Sequence, residues 1–170
     1  MEIHYRTAVP EDLEEVCGMV GHAVDTMTGN GIYQWDELYP TGDDFREDID
    51  RKQLYVGVTD SRNMPQIAVA YVLNKEYDPQ YDNGVWQHPE EPYYVVHRLC
   101  VNPLFQNQGI GGITLAHIEE QLLSWGIHAI RLDAFSQNPY ALRMYARHSY
   151  RKTGDVDFRK GRFYLLEKYF

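Results

Sequence analysis

Residues 99–112, Leu-Cys-Val-Asn-Pro-Leu-Phe-Gln-Asn-Gln-Gly-Ile-Gly-Gly, hold the densest chemical pattern in the chain. A strand-like apolar run stops at Asn102-Pro103, and a loop carrying Gly109, Gly111 and Gly112 opens what reads as a helix. Without a Cβ, glycine lets a ligand come close to the backbone. Amides at a helix start, helped by the positive end of the helix dipole, attract an anion such as phosphate. On these residues alone, glycines serving only a tight turn and helix packing fit the segment equally well. No Lys-Ser/Thr pair follows the glycines, so this is not a Walker loop. Residue 114 is Thr where a GxGxxG dinucleotide fingerprint needs glycine.

A second segment, residues 138–150, reads Asn-Pro-Tyr-Ala-Leu-Arg-Met-Tyr-Ala-Arg-His-Ser-Tyr. Asn138 before Pro139 is a good helix N-cap, which explains it without any ligand. Tyr145 shares a helical face with Leu142 and Ser149, so a core tyrosine is one account of it.

Taken together, the two segments resemble signatures of the GNAT N-acetyltransferase family. Gln106-Asn107-Gln108-Gly109-Ile110-Gly111 fits its acetyl-CoA signature, Gln/Arg-x-x-Gly-x-Gly/Ala. Leu99, Val101 and Pro103 fit the strand motif before it, and Asn138, Ala141 and Tyr145 fit the later motif, Asn-x-x-Ala-x-x-x-Tyr-x-x-x-Gly-Phe. Ser149 and Tyr150 replace the usual Gly-Phe, which keeps the aromatic and questions the local turn. The resemblance implies acetyl-CoA as co-substrate, held by residues 106–112 with Gly112 included, and by Asn138 on the coenzyme arm. It implies backbone pairing of Leu99, Cys100 and Val101 with the pantetheine, one N–H there polarising the thioester carbonyl. Tyr145 would be the general acid: a phenol with a pKa of about 10 stays protonated at neutral pH and can donate as the thiolate leaves.

The acceptor amine must lose a proton, and two side chains could take it directly or through water. Asp133 lies five residues before Asn138, where some members of the family carry a catalytic Glu. His97 sits on an earlier strand, and histidine suits proton transfer near neutral pH. The plain alternatives are a pairing of Asp133 with Arg131 or a loop, and a satisfied core histidine at 97. In this family two regions often shape the acceptor pocket. Here they carry Tyr33, Trp35, Asp36 and Glu37, then Glu76, Asp78 and Asp82, a mixture that suits a cation. For any one carboxylate, a solvated acidic surface is the ordinary fate.

The elements that must position these groups follow from periodicity. Residues 2–8 read as a strand, and Pro10 opens a helix with an apolar stripe of Leu13, Val16, Cys17, Val20, Val24 and Met27. Gly29-Asn30-Gly31 stops it, an aromatic loop follows to Pro40, and Thr41 with Asp44 resembles a capping box for a short helix bearing Phe45 and Ile49. Strands at 54–59 and 66–73 form a hairpin around the turn from Asp60 to Pro65, and the polar stretch 74–92 reads as a long functional loop. Next come a strand at 93–101 and a helix from about Gly109 to Trp125, with Leu115, Ile118, Leu122 and Trp125 inward and His117, Glu120, Gln121 and Ser124 outward. A strand at 129–135, a helix at 139–148 and strands at 150–156 and 162–169 finish the chain. Strand, helix and strand from Tyr93 to Phe135 make a crossover, which requires some parallel pairing. The expected class is α/β: one GNAT-type domain over residues 1–170, a mixed, mostly antiparallel sheet with helices on both faces.

Composition bounds the partners. The 170 residues carry 16 Lys and Arg against 25 Asp and Glu, a formal charge of −9, so nucleic acid is a poor candidate. Cys17 and Cys100 match no metal spacing and read as buried thiols in a reducing compartment. No signal peptide or membrane span is evident, so a cytoplasmic protein is expected. The expected acceptor is a small-molecule amine or a protein amino group, with a small cationic amine the first choice. No Cys or Ser stands in a nucleophile constellation, which favours direct transfer in a ternary complex over a covalent acyl-enzyme. A catalytically silent acyl-CoA-binding sensor is the alternative, opposed by Tyr145 and two candidate bases. The aromatic last strand (Phe163, Tyr164, Tyr169, Phe170) could pack a homodimer or close the core.

Overall fold

A computed structural model describes residues 1–61 and 63–170. The chain forms two compact units: Met1–Leu73 with Arg98–Gly111, and Asn74–His97 with Gly112–Phe170.

In the first unit, β1 (His4–Thr7) pairs antiparallel with β2 (Leu54–Ser61), and β2 pairs antiparallel with β3 (Met64–Asn74). The ladder runs further than the sequence suggests, through Asp60↔Pro65 and Ser61↔Met64; Arg62 lies outside the described residues. The first strand is shorter than expected at both ends. Helix α1 (Leu13–Gly29) follows a 3-10 turn at Pro10–Asp12. Asp12 does more there than favour a helix start: it takes a bidentate bond from Arg6 at 2.7 and 2.9 Å and one from the Val9 N–H at 2.8 Å. The buried line of α1 runs through Val16, Met19, Val20 and Ala23, while Leu13, Cys17, Val24 and Met27 flank it partly buried. Helix α2 (Gly42–Asp50) has the expected capping box: Thr41 Oγ1 accepts the Asp44 N–H, and Asp44 accepts the Thr41 N–H at 2.7 Å. Phe45 and Ile49 of α2 join the α1 line, Leu54, Val56 and Cys100 in one apolar cluster. Each such side chain contributes about 1.5–3 kcal/mol by leaving water.

In the second unit, the first half of β4 (Tyr93–Val101) pairs parallel with β5 (Ala129–Phe135), over Tyr93↔Ala129 to Val95↔Arg131. Parallel neighbours need a crossover, and α3 (Ile110–Ser124) supplies it. β5 pairs antiparallel along its whole length with β7 (Gly161–Tyr169), and β7 with β6 (Arg151–Phe158). Helix α4 (Pro139–Arg147) lies between β5 and β6 in the chain. Leu115, Ile118 and Leu122 are buried as expected, but Trp125 is not: α3 ends at Ser124, and Trp125 is 45% exposed, its ring tilted on Tyr94 at 5.4 Å. Gly126 at φ +75 turns the chain at that point and diverts the tryptophan from the helix face. The stretch 74–92 has structure of its own. A 3-10 turn at Pro79–Asn83 buries Tyr81, and Val85 N–H bonds the Thr153 carbonyl at 2.8 Å.

The seven strands have the order β1-β2-β3-β4-β5-β7-β6, so the sheet is mixed and mostly antiparallel, and the α/β class expected from the sequence holds. Among the described residues no helix is long and apolar enough to cross a membrane.

Candidate functional site

The glycine loop hangs between two buried anchors. Phe105 and Ile110 sit at 5% and 2% exposure in an apolar cluster with Ala68 and Val69, against which Leu99 and Val101 pack. Between the anchors, residues 106–109 are exposed. Asn107 and Gly109 take left-handed backbone conformations, φ +62 and +76. A Cβ at Gly109 would meet nothing within 4 Å, so its φ, not crowding, asks for glycine, and the space over it is open. The first amides of α3 have no carbonyl partner inside the helix and are available to a ligand. Gly112 is different: a Cβ there would run into the His148 imidazole. Asn102 closes β4 by donating to the Ile67 carbonyl at 2.9 Å and accepting the Leu104 N–H at 3.0 Å. Cys100 turns its thiol into the α1 cluster, where burial pushes its pKa up to about 12, so only its backbone is offered to a ligand.

Two residues before Cys100, Arg98 adopts φ +50, a conformation that costs a residue with a Cβ about 1–2 kcal/mol. Its guanidinium is held by Asp48 through Nε–Oδ2 at 2.9 Å and Nη2–Oδ1 at 2.6 Å, and Nη1 donates to the Tyr39 hydroxyl at 2.9 Å. A bidentate, largely buried pair of this kind is strong enough to keep the backbone in that state.

The proton-handling candidates of the second unit are organised around Asp133. Its Oδ2 accepts the Tyr81 hydroxyl at 2.7 Å. Burial raises the Asp133 pKa to about 6, against the pull of the Tyr81 hydrogen bond and with a push from Asp78. Of the two plain alternatives, the loop partner is the one found; Arg131 instead faces Glu167 at 3.8 Å and lies between Trp86 and Tyr93, 4.2 and 3.8 Å from their ring centres. Tyr145 is 8% exposed, edge-on to Tyr150 at 5.6 Å, and its hydroxyl has no hydrogen-bond partner among the described residues. Burial, then the Asp133 charge, lifts its pKa well above the ordinary phenol value. His97 is constrained. Asn74 Oδ1 accepts the Glu76 N–H at 2.9 Å, which fixes the amide orientation, so the His97 Nε2 lying 2.8 Å from that oxygen and 2.9 Å from the Glu76 carbonyl carries the proton. Only Nδ1 could then act as a base. Asn138 caps α4, its Oδ1 accepting the Ala141 N–H at 3.1 Å. Ser149 stands at φ +69, so the turn keeps the geometry that glycine usually provides.

The acceptor candidates separate. Tyr33 is 56% exposed, Glu76 is exposed, and Trp35 is a core residue at 9% exposure, packed with Phe45 and Ile49. A cleft of about 390 Å³ in the first unit is lined instead by Cys17, Val20, Phe45, Asp25, Asp36 and Glu37, among others. Cys17 is only half-buried there, and both cysteines are free thiols. Among the described residues no group of three or more His, Cys, Asp or Glu could hold a metal ion.

Sequence reasoning missed Tyr81, Arg98, Asp48 and His148. Two signals were present: Tyr77, Tyr81 and Trp86 interleave an otherwise polar stretch, and Arg98 is a charge inside an apolar strand. The clash at Gly112 had none, because it depends on where His148 folds back.

The family model described as Acetyltransferase (GNAT) family matches residues 30–150. Two relatives come from Bacillus subtilis. One, an uncharacterized N-acetyltransferase called YesJ, is 27% identical over 86% of this chain and 81% of its own. The other, S-(2-succino)cysteine N-acetyltransferase, is 24% identical over 95% and 92%. Among solved structures, a GNAT family acetyltransferase from Streptococcus agalactiae superimposes with a TM-score of 0.83 at 20% identity, covering 99% of this chain and 95% of that one. The PaiA N-acetyltransferase of Thermoplasma acidophilum, solved with coenzyme A, gives 0.71 at 18% identity over 100% of both.

Proposed function

The chain belongs to the GNAT acetyltransferase family, and on that premise we propose that it moves an acetyl group from acetyl-coenzyme A to a primary amine by direct attack in a ternary complex. Residues 1–170 act as one catalytic domain in the cytoplasm, without a metal.

The observation that carries the reading is the loop 106–109: exposed, pinned at Phe105 and Ile110, left-handed at Asn107 and Gly109, and leading into a fifteen-residue helix. Such a loop offers amides to a pyrophosphate. The coenzyme would bring a thioester, an activated acyl group ready for an amine. The backbone of Leu99, Cys100 and Val101 would bind the arm, and an N–H there would polarise the thioester carbonyl. Asn138, which caps α4, would also touch the arm. Tyr145 would protonate the leaving sulfur, its raised pKa keeping the donor loaded at every working pH. Asp133 would take the amine's proton, through water or directly, ahead of His97, whose Nε2 is already a donor. The acidic lining of the first unit's cleft, at Asp25, Asp36 and Glu37, favours a small cationic acceptor.

Thiol release from acetyl-CoA, measured with a panel of amines, tests this. The panel holds a simple diamine, a polyamine, S-(2-succino)cysteine and a peptide N-terminus. Turnover with at least one is expected, and Tyr145→Phe should lower kcat a hundredfold or more with acetyl-CoA affinity unchanged. Tight acetyl-CoA binding with no turnover on any amine would leave a sensor instead. Turnover per folded molecule unchanged in Tyr145→Phe would make that residue core packing.

A further inference from the structure

We propose that Tyr81 is a positioning residue for proton transfer at Asp133: its buried hydroxyl fixes one carboxylate oxygen and favours the ionised group, leaving Oδ1 to receive the proton. This rests on the reading of Asp133 as the base.

Tyr81 is 2% exposed, and the 2.7 Å bond to Asp133 Oδ2 spans 52 residues of sequence. Its ring has little freedom. Tyr77 stacks on it at 5.9 Å between centroids, Trp86 tilts against it at 5.8 Å, and the Trp86 indole N–H donates to the Tyr81 carbonyl at 2.9 Å. A buried phenol needs an acceptor, and a backbone carbonyl would serve for packing alone. A carboxylate is a more consequential choice, because a donor to the charged form favours that form.

The surroundings of Asp133 leave this task to Tyr81. Asp78, from the segment leading into the 3-10 turn, and burial both oppose ionisation. Tyr145 on α4 feels the Asp133 charge but is neutral. The residue opposite on β7 is Leu165, which has no charge to offer. Arg131, the cation two residues away on β5, faces Glu167 and the rings of Trp86 and Tyr93. Tyr81 itself stays protonated, since burial and the Asp133 charge hold its pKa well above the phenol value. It is therefore a donor throughout the range in which a base near neutrality would work.

The test reads the carboxyl directly. The Asp133 Cγ resonance, identified by its loss in Asp133→Asn, is titrated by carbon NMR in the free protein, and the acidic limb of kcat/KM is followed with the panel amine of highest turnover. Tyr81→Phe keeps the ring and removes the donor, so both midpoints should rise by about one to two pH units. Replacing Tyr81 with 3,5-difluorotyrosine, a stronger donor of the same shape, should lower both; it carries the test if Tyr81→Phe fails to fold. Midpoints unmoved in both proteins would overturn the role of Tyr81 while Asp133→Asn still abolishes the limb. A limb that survives Asp133→Asn overturns the reading of Asp133 as base and this inference with it.

Discussion

Two aspartates, Asp48 buried and Asp133 partly so, meet different partners in the two units. Asp48 is locked onto the guanidinium of Arg98, a permanent cation, and braces a backbone kink in β4. Asp133 is given only a phenol, and its charge is left largely uncompensated. Burial raises the pKa of both. At Asp48 the guanidinium opposes that rise; at Asp133 burial outweighs the Tyr81 hydrogen bond and lifts the pKa to about 6, a value that suits the base proposed there. A cation faces one carboxylate and a neutral donor the other.

The largest effect should come from breaking the first pair. Asp48→Ala leaves Arg98 buried, uncompensated and at positive φ, which should cost about 3–5 kcal/mol and lower Tm accordingly. A Tm close to the parent would mean that the pair does not hold the kink.

The second aspartate should respond with the opposite sign. Its folded pKa of about 6 lies above the ordinary 3.8, so between those values the native state keeps a proton that the unfolded state has released. Stability from this group is therefore complete below pH 3.8, falls as pH rises to about 6, and is level above. Asp133→Asn, which can still accept from Tyr81, should stabilise the fold by about 1–3 kcal/mol at pH 8 and by nothing at pH 4. The same variant should lose acceptor kcat/KM by about a hundredfold. Equal Tm differences at both pH values would show that Asp133 is an ordinary ionised carboxylate. Tyr145, by contrast, should add no basic limb to the rate profile below about pH 10, because its raised pKa keeps it protonated.

What the sequence could reveal follows the range of the interactions involved. The capping box at Thr41 and Asp44, the cap at Asn138 and the glycine loop are local, and residues three or four apart disclose them. The crossover between Tyr93 and Phe135 disclosed the parallel pairing of β4 with β5, but not the place of β7 between β5 and β6. The partner of Asp133 could not be read, since Tyr81 comes from a polar stretch 52 residues away and meets it only after that stretch folds. The burial of Trp35 was hidden for a related reason: loop aromatics look available until a neighbouring helix, here with Phe45, covers them. The direction of Trp125 turned on one residue, Gly126, whose positive φ ends the helix early.

The smallest effect sharpens the same contrast at the backbone. Arg98 and Ser149 both carry a side chain at positive φ, +50 and +69. Arg98 is held there by Asp48, so removing its side chain should destabilise. Ser149 is exposed, and its N–H bond to the Ala146 carbonyl, 3.1 Å, belongs to the backbone and survives substitution. Ser149→Gly removes a left-handed penalty of about 1–2 kcal/mol. The greater freedom of glycine in the unfolded chain takes back about 0.5–1 kcal/mol. A net gain of about 0.5 kcal/mol remains, or a rise in Tm of about 1–2 °C at this chain length. Ser149→Ala keeps the penalty and should show no gain. If alanine and glycine behave alike, the strain at Ser149 is already relieved by its surroundings, and the turn before Tyr150 owes nothing to the glycine that the family usually places there.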